Sequence, residues 1–186
     1  IPEAAAGQWR FEQLVVDGVR AMRAKTPNRF YDYMGDTVEV PVEGKRGQFR
    51  RTTDVPAKSL KPLQGLSTTE LRDVTLVAVH KWCISRRFLH KIDTEANSIV
   101  TIGEKLKSYS GWPVNTRFHL ENFKAALDTP GEWFLSRSGT LYYMPLPGQE
   151  MAKAQVVAPV AEKLVVFQGA PEQEKFVEYV TLQGLS

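Results

Sequence analysis

Turn chemistry recurs along this 186-residue chain at intervals that leave room only for short elements, and that spacing most restricts its fold. Asp17-Gly18, the dipeptide favoured in a type I′ hairpin, lies between Trp9–Val16 and Val19–Ala24. Ser138-Gly139 separates Glu132–Arg137 from Thr140–Met144, and Leu146-Pro147-Gly148 closes that unit. Asp73–Trp82 and Ile84–Asp93 read as partner strands, and the turn Thr94–Asn97 leads into a further strand at Ser98–Ile102. Thr37–Val42 alternates as a strand that ends near Pro41. Val156–Val157, Leu164–Phe167 and Phe176–Leu182 add three short pieces, whereas Glu43–Pro62 reads as loop. Leu120–Leu127 is the one persuasive helix, stopped before Thr129-Pro130-Gly131. The pattern predicts an all-β fold, an antiparallel sandwich or barrel with one short helix.

Composition narrows the classes. With 42% hydrophobic and 24% charged residues, the chain can bury a core, which excludes a disordered tail. No apolar run approaches the roughly 20 residues of a membrane span. The net charge of +3 is unevenly placed: Lys45, Arg46, Arg50, Arg51, Lys58 and Lys61 face only Asp54. Glycines and prolines surround them and only Phe49 is interleaved, so they read as a solvated basic loop rather than a nucleic-acid stripe. Cys83 is alone in an apolar stretch and is expected in the core. The start Ile1-Pro2, without an initiator Met, suggests a piece of something longer.

Motifs for cofactor chemistry are missing. Gly44-Lys45-Arg46-Gly47 lacks the spacing of a phosphate loop, and no G-x-S-x-G elbow occurs. His80, His90 and His119 show no metal-ligand spacing, so neither metal nor cofactor is predicted. Glycoside hydrolysis needs only two carboxylates. The candidates Asp73, Glu121, Asp128 and Glu132 each have a duller place at an element end or turn. On extended chain His80, Trp82, Ile84 and Arg86 share a face. A flat ring with nearby donors suits a sugar; a core Trp with a satisfied N–H and a rim Arg fits the same residues. Tyr109-Ser110-Gly111-Trp112-Pro113 offers a second aromatic loop.

Several segments carry a resemblance: Phe118–Phe123 (FHLENF), Leu127–Leu135 (LDTPGEWFL), Ser138–Tyr143 (SGTLYY), Phe11–Gly18 (FEQLVVDG), Arg23–Asn28 (RAKTPN) and Val156–Val160 (VVAPV). Together, from about Trp9 to Ser186, they resemble the insertion domain of right-handed β-helix enzymes of glycoside hydrolase family 141. That resemblance implies a β-rich domain set into a parallel β-helix whose rungs carry the catalytic acids. No motif for those acids occurs here, so no catalytic residue is assigned. It implies a secreted or periplasmic enzyme of fucosylated or xylan-type polysaccharides. The partners would be a polysaccharide or oligosaccharide and the β-helix catalytic domain of the same polypeptide. The expected division is a lead-in at 1–8, a sandwich at 9–162 and the first β-helix rungs at 163–186. Two rungs cannot bury a core alone, so the chain is expected to continue past Ser186. Within this frame His80, Trp82 and Arg86, with Arg23 and Asn28, are predicted to wall the sugar cleft. The competing reading is a structural or protein-interaction module in which Trp82, Trp112 and Trp133 are buried.

Overall fold

The Asp17-Gly18 hairpin forms as its dipeptide dictates. Both residues take positive φ, 50° and 77°, the type I′ geometry that matches strand twist. The turn joins β1 (Leu14–Val16) to β2 (Val19–Arg23). The computed structural model describes residues 1–161 and 163–184, so the expected boundary residues 162 and 186 lie outside them. Along the chain follow β3 (Lys25–Thr26), β4 (Asp32–Tyr33), β5 (Thr37–Pro41), β6 (Gln48–Asp54), β7 (Thr75–Val79) and β8 (Ile84–Asp93). Then come β9 (Ser98–Glu104), β10 (Arg117–Glu121), β11 (Glu132–Leu135), β12 (Leu141–Tyr143) and β13 (Val156–Val157). Among the described residues three one-turn helices accompany them: α1 (Pro2–Ala5), α2 (Ala57–Leu60) and α3 (Thr68–Leu71).

The strands build two sheets, and the fold is predominantly β. A smaller sheet has the order β12-β11-β2-β1-β13, and its β2 and β11 run parallel, with Met22 opposite Glu132. A larger sheet has the order β3-β10-β7-β8-β9-β6-β5, with β4 also paired to β10. Each sheet has its own apolar cluster. Leu76, Ala78, Ile99, Phe118 and Leu120 of the larger sheet pack with Leu60, Leu63 and Leu71 of the helical stretch. Leu14, Val16, Trp133 and Leu135 of the smaller sheet pack with Phe11 and with Ala4 of α1.

Four expectations are corrected. Residues 120–127 are not a helix: Phe118 and Leu120 alternate inward on β10, and Lys124–Ala126 is a single 3-10 turn. Asn122 ends the strand at φ 69°, a conformation Asn tolerates, and its Nδ2 donates to the Asp73 carbonyl. Glu43–Pro62 is not all loop, because β6 runs through it, paired on both edges to β5 and β9. Its inward position 51 is an arginine at 0% exposure, so Arg51 belongs to the interior rather than to a solvated basic loop. Cys83 is exposed, since it closes the turn between β7 and β8. Leu164–Phe167 and Phe176–Leu182 form no strands among the described residues. The one pairing there is the bridge Ala170–Lys175, and their apolar side chains stand in solvent with no sheet to pack against.

Candidate functional site

The tip of the β7–β8 hairpin positions the first group. Val79 pairs with Ile84, and the His80 N–H donates to the Cys83 carbonyl at 2.9 Å, leaving Lys81 and Trp82 as the turn. A two-residue turn exchanges the parity of the strands. His80 therefore shares its face with Ala78 and Ser85, while Ile84 and Arg86 lie on the opposite face. The expected common face of His80, Trp82, Ile84 and Arg86 does not form. Trp82 itself projects from the turn at 85% exposure.

The Tyr109–Pro113 loop comes to this tip, and His80 fastens it. Its Nδ1 lies 3.2 Å from the Gly111 carbonyl; its Nε2 lies 2.8 Å from Ser85 Oγ and accepts the Trp112 Nε1–H at 3.2 Å. Acceptance at Nε2 requires the neutral ring with its proton on Nδ1. Burial holds the imidazole below its ordinary value, against the opposing pull of the Gly111 carbonyl. Between hairpin tip and loop opens a groove of about 770 Å³ lined by Trp82, Tyr109, Trp112, Asn115 and Arg117. Tyr109 is 63% exposed, whereas Trp112 is buried with its N–H satisfied by His80.

The fastening titrates. A histidine with a lowered folded pKa gives stability that is present above the unfolded value and lost as pH falls through the folded one. Protonation places an Nε2–H against the Trp112 donor and removes a hydrogen bond worth about 1 kcal/mol. Between pH 7.5 and 5, Tm is expected to fall by roughly 2–4 °C more in the native protein than in His80→Gln. Parallel thermal melts followed by tryptophan fluorescence check this; equal slopes would contradict the neutral-ring fastening.

Arg23 and Arg86 meet elsewhere. Both stand 3.7 Å from Glu121 Oε1, and His119 Nε2 lies 3.4 Å from Glu121 Oε2. Burial pushes the Glu121 carboxyl up, but the His119 hydrogen bond and the charges of Arg23, His119 and Arg86 outweigh it and hold the group below the usual carboxylate range. Glu121 is thus an ionised anchor for two arginines rather than a proton donor. Asn28 forms a third location, where its Nδ2 donates to Asp128 Oδ1 at 2.6 Å and Thr129 Oγ1 at 2.7 Å. In the same turn Glu132 accepts the N–H groups of Asp128 and Thr129 at 3.2 Å, and burial raises its pKa. Asp73 is paired to Arg10 and Arg137. Among the described residues no group of three or more His, Cys, Asp or Glu could hold a metal ion, and no helix is long and apolar enough to cross a membrane.

Sequence reasoning found both aromatic segments but could not see that they share a groove. It missed Glu121 as the hub for Arg23 and Arg86, and the alternation of Phe118 and Leu120 was the available signal.

A predominantly β domain of two sheets with an aromatic groove at one hairpin tip fits an accessory unit of a carbohydrate-active enzyme. The family comparison is specific: the model described as the GH141 insertion domain matches residues 1–146, and the chain belongs to that family. It is thus an insertion domain of a glycoside hydrolase family. Among solved structures, one titled "Glycoside hydrolase" superposes with a TM-score of 0.61 at 23% identity. That likeness, which shows a shared fold, covers 83% of this chain and 27% of the other. A comparison with curated proteins finds no match.

Proposed function

We propose that this domain lends a glycan-contacting wall to a secreted or periplasmic glycoside hydrolase and works beside a β-helix catalytic domain of the same polypeptide. It supplies no complete catalytic site of its own. The observation that carries this reading is Trp82, an indole 85% exposed on a two-residue turn, lining an open groove together with Tyr109. A large ring exposed to water at the edge of a groove serves a ligand with an apolar face. Residues 163–186 are proposed as the beginning of β-helix rungs, because the apolar side chains of 164–167 and 176–182 have no core within this domain. In this reading His80 and Trp82 belong to the groove, Arg23 and Arg86 to a separate arginine cluster, and Asn28 to the Asp128 turn.

The test is Trp82→Ala in the full enzyme acting on its polysaccharide. Covering about 50 Å² of a sugar's apolar face is worth on the order of 1 kcal/mol, so KM is expected to rise up to roughly tenfold with kcat nearly unchanged. Unaltered KM and kcat would remove the groove from the cleft. A structural or protein-interaction module is the second reading, favoured by Val38, Ile84 and Phe88, each more than half exposed on strands of the larger sheet. It predicts an unchanged KM in Trp82→Ala and loss of assembly in Phe88→Asp.

A further inference from the structure

Where the two sheets meet, a cavity of about 160 Å³ is lined by Arg10, Arg23, Arg86 and Arg87, with Glu12 as its lining acid. Three guanidinium groups, those of Arg10, Arg23 and Arg86, come from the segment before β1, from β2 and from β8, so only the folded chain brings them together, whereas Arg87, next on β8, turns its guanidinium to the other face, over Gly103 of β9. Some of their donors have partners: Arg10 Nη2 gives to Asp73 at 3.0 Å and Arg23 Nη2 to the Phe11 carbonyl at 2.7 Å. Others do not. The Nε of Arg23 is buried without a hydrogen-bond partner among the described residues, a state that costs about 1–3 kcal/mol and more when charged. Arg86 Nε reaches Glu121 only at 3.7 Å, too long for a hydrogen bond.

We propose that this cavity binds the pendant oxyanion of an acidic saccharide, the carboxylate of a uronic acid or a sulfate ester. A guanidinium presents its N–H groups as a planar fork that matches an oxyanion edge, which makes arginine the residue of choice for such groups. Volume restricts the ligand: at about 30 Å³ per water, the cavity accepts a charged substituent and a few ring atoms but not a chain. The sugar ring therefore sits at the mouth with the anion inside. Burial lowers the Arg23 pKa against the pull of Glu121 and Glu12, with Arg86 and Arg10 adding smaller repulsions, so the guanidinium is a desolvated cation. An entering anion gives the Arg23 Nε–H the acceptor it lacks, and Glu12, which is exposed, can turn to water. The proposal rests on the reading that this domain contacts glycan, but it uses a different place. The Trp82 tip lies about 20 Å of extended strand from the Thr75–Phe88 end of the hairpin.

The test follows the arginine Nε–Hε signals of the full chain by NMR during titration with four probes. These are methyl β-D-glucuronoside, glucose 6-sulfate, methyl β-D-glucoside and inorganic sulfate. At least one charged sugar is expected to move the Arg23 signal saturably, while the neutral glucoside leaves it in place; the stronger of the two charged sugars names the group. Arg86→Gln, whose side chain is half exposed in the native protein and replaceable without unfolding it, is expected to weaken that response at least tenfold. Trp82→Ala should leave it intact. A response to the neutral glucoside of equal strength overturns the proposal, as does Arg86→Gln binding like the native chain. Inorganic sulfate binding as well as either sugar would mean an adventitious ion only. Loss of the response in Trp82→Ala would move the binding to the groove and overturn the cavity. An unchanged KM in Trp82→Ala, by contrast, refutes the groove alone.

Discussion

Replacing Arg51 with alanine is expected to destabilise the domain by about 3–5 kcal/mol, the loss typical when one partner of a buried ion pair is removed. The side chain is 0% exposed. Its Nε lies 2.6 Å from Glu39 Oε2, its Nη2 donates to the Glu104 carbonyl, and its guanidinium sits 5.9 Å from the centre of the Trp112 ring. Alanine leaves Glu39 without its cation and, among the described residues, with the Leu106 N–H still donating to it at 3.2 Å. A void also opens beneath Trp112, which is the floor of the aromatic groove. Urea unfolding monitored by fluorescence measures the loss. Arg51→Met with Glu39→Leu should recover most of it, since a well-packed apolar pair often replaces a buried ionic one at little cost. A single alanine variant within about 0.5 kcal/mol of the native chain would mean that position 51 behaves as a surface site.

Arg51 also explains why β6 is hard to read from sequence. Its inward positions are 49, 51 and 53, so the buried series is Phe-Arg-Thr, and the alternation is masked by the residue that makes it interesting. Charge reads as solvent unless the partner is known, and Glu39 becomes the partner only through pairing of β5 with β6. By contrast β8 ends at Asp93 as its residues suggest, because the Thr94–Asn97 turn delimits it locally. The Leu120–Leu127 stretch failed for the opposite reason. Its local helical spacing is overridden by β3, β4 and β7, which pair along β10 and satisfy its backbone as a strand.

The same division runs through the site. Trp82 and the Tyr109–Trp112 loop announce themselves as aromatic residues among turn formers, which is local information. That they form one groove depends on His80 reaching Gly111 and Trp112, which lie more than thirty residues away. The failure of the His80–Arg86 face was foreseeable in principle, because a two-residue turn at Lys81-Trp82 reverses parity. Nothing in the sequence marks the turn, however, since neither residue is a usual turn former. Arg23 and Arg86 converge through three separate strands, β2, β8 and β10, and no spacing rule connects those.

Trp133→Ala is expected to cost about 3–5 kcal/mol, the range for removing a large buried aromatic. The indole is 0% exposed, stacks on Phe11 at 5.1 Å, and supports the Arg23 guanidinium 4.9 Å from its centre. The cluster around it contains Leu14, Val16 and Leu135 but none of the larger sheet's core, so no neighbouring layer can refill the void. Trp133→Phe should recover most of the loss, because the buried Nε1–H has no partner and its removal forfeits no hydrogen bond. The two alanine variants also test how the sheets cooperate. Arg51 and Trp133 share no partner and lie in different clusters, so their losses should add within about 0.5 kcal/mol in the double variant. A double variant that loses less than the sum would mean that unfolding of one sheet already releases the other. Arg23 is the first side chain through which that coupling would run, because it leaves Trp133 on one side and meets Glu121 of the larger sheet on the other.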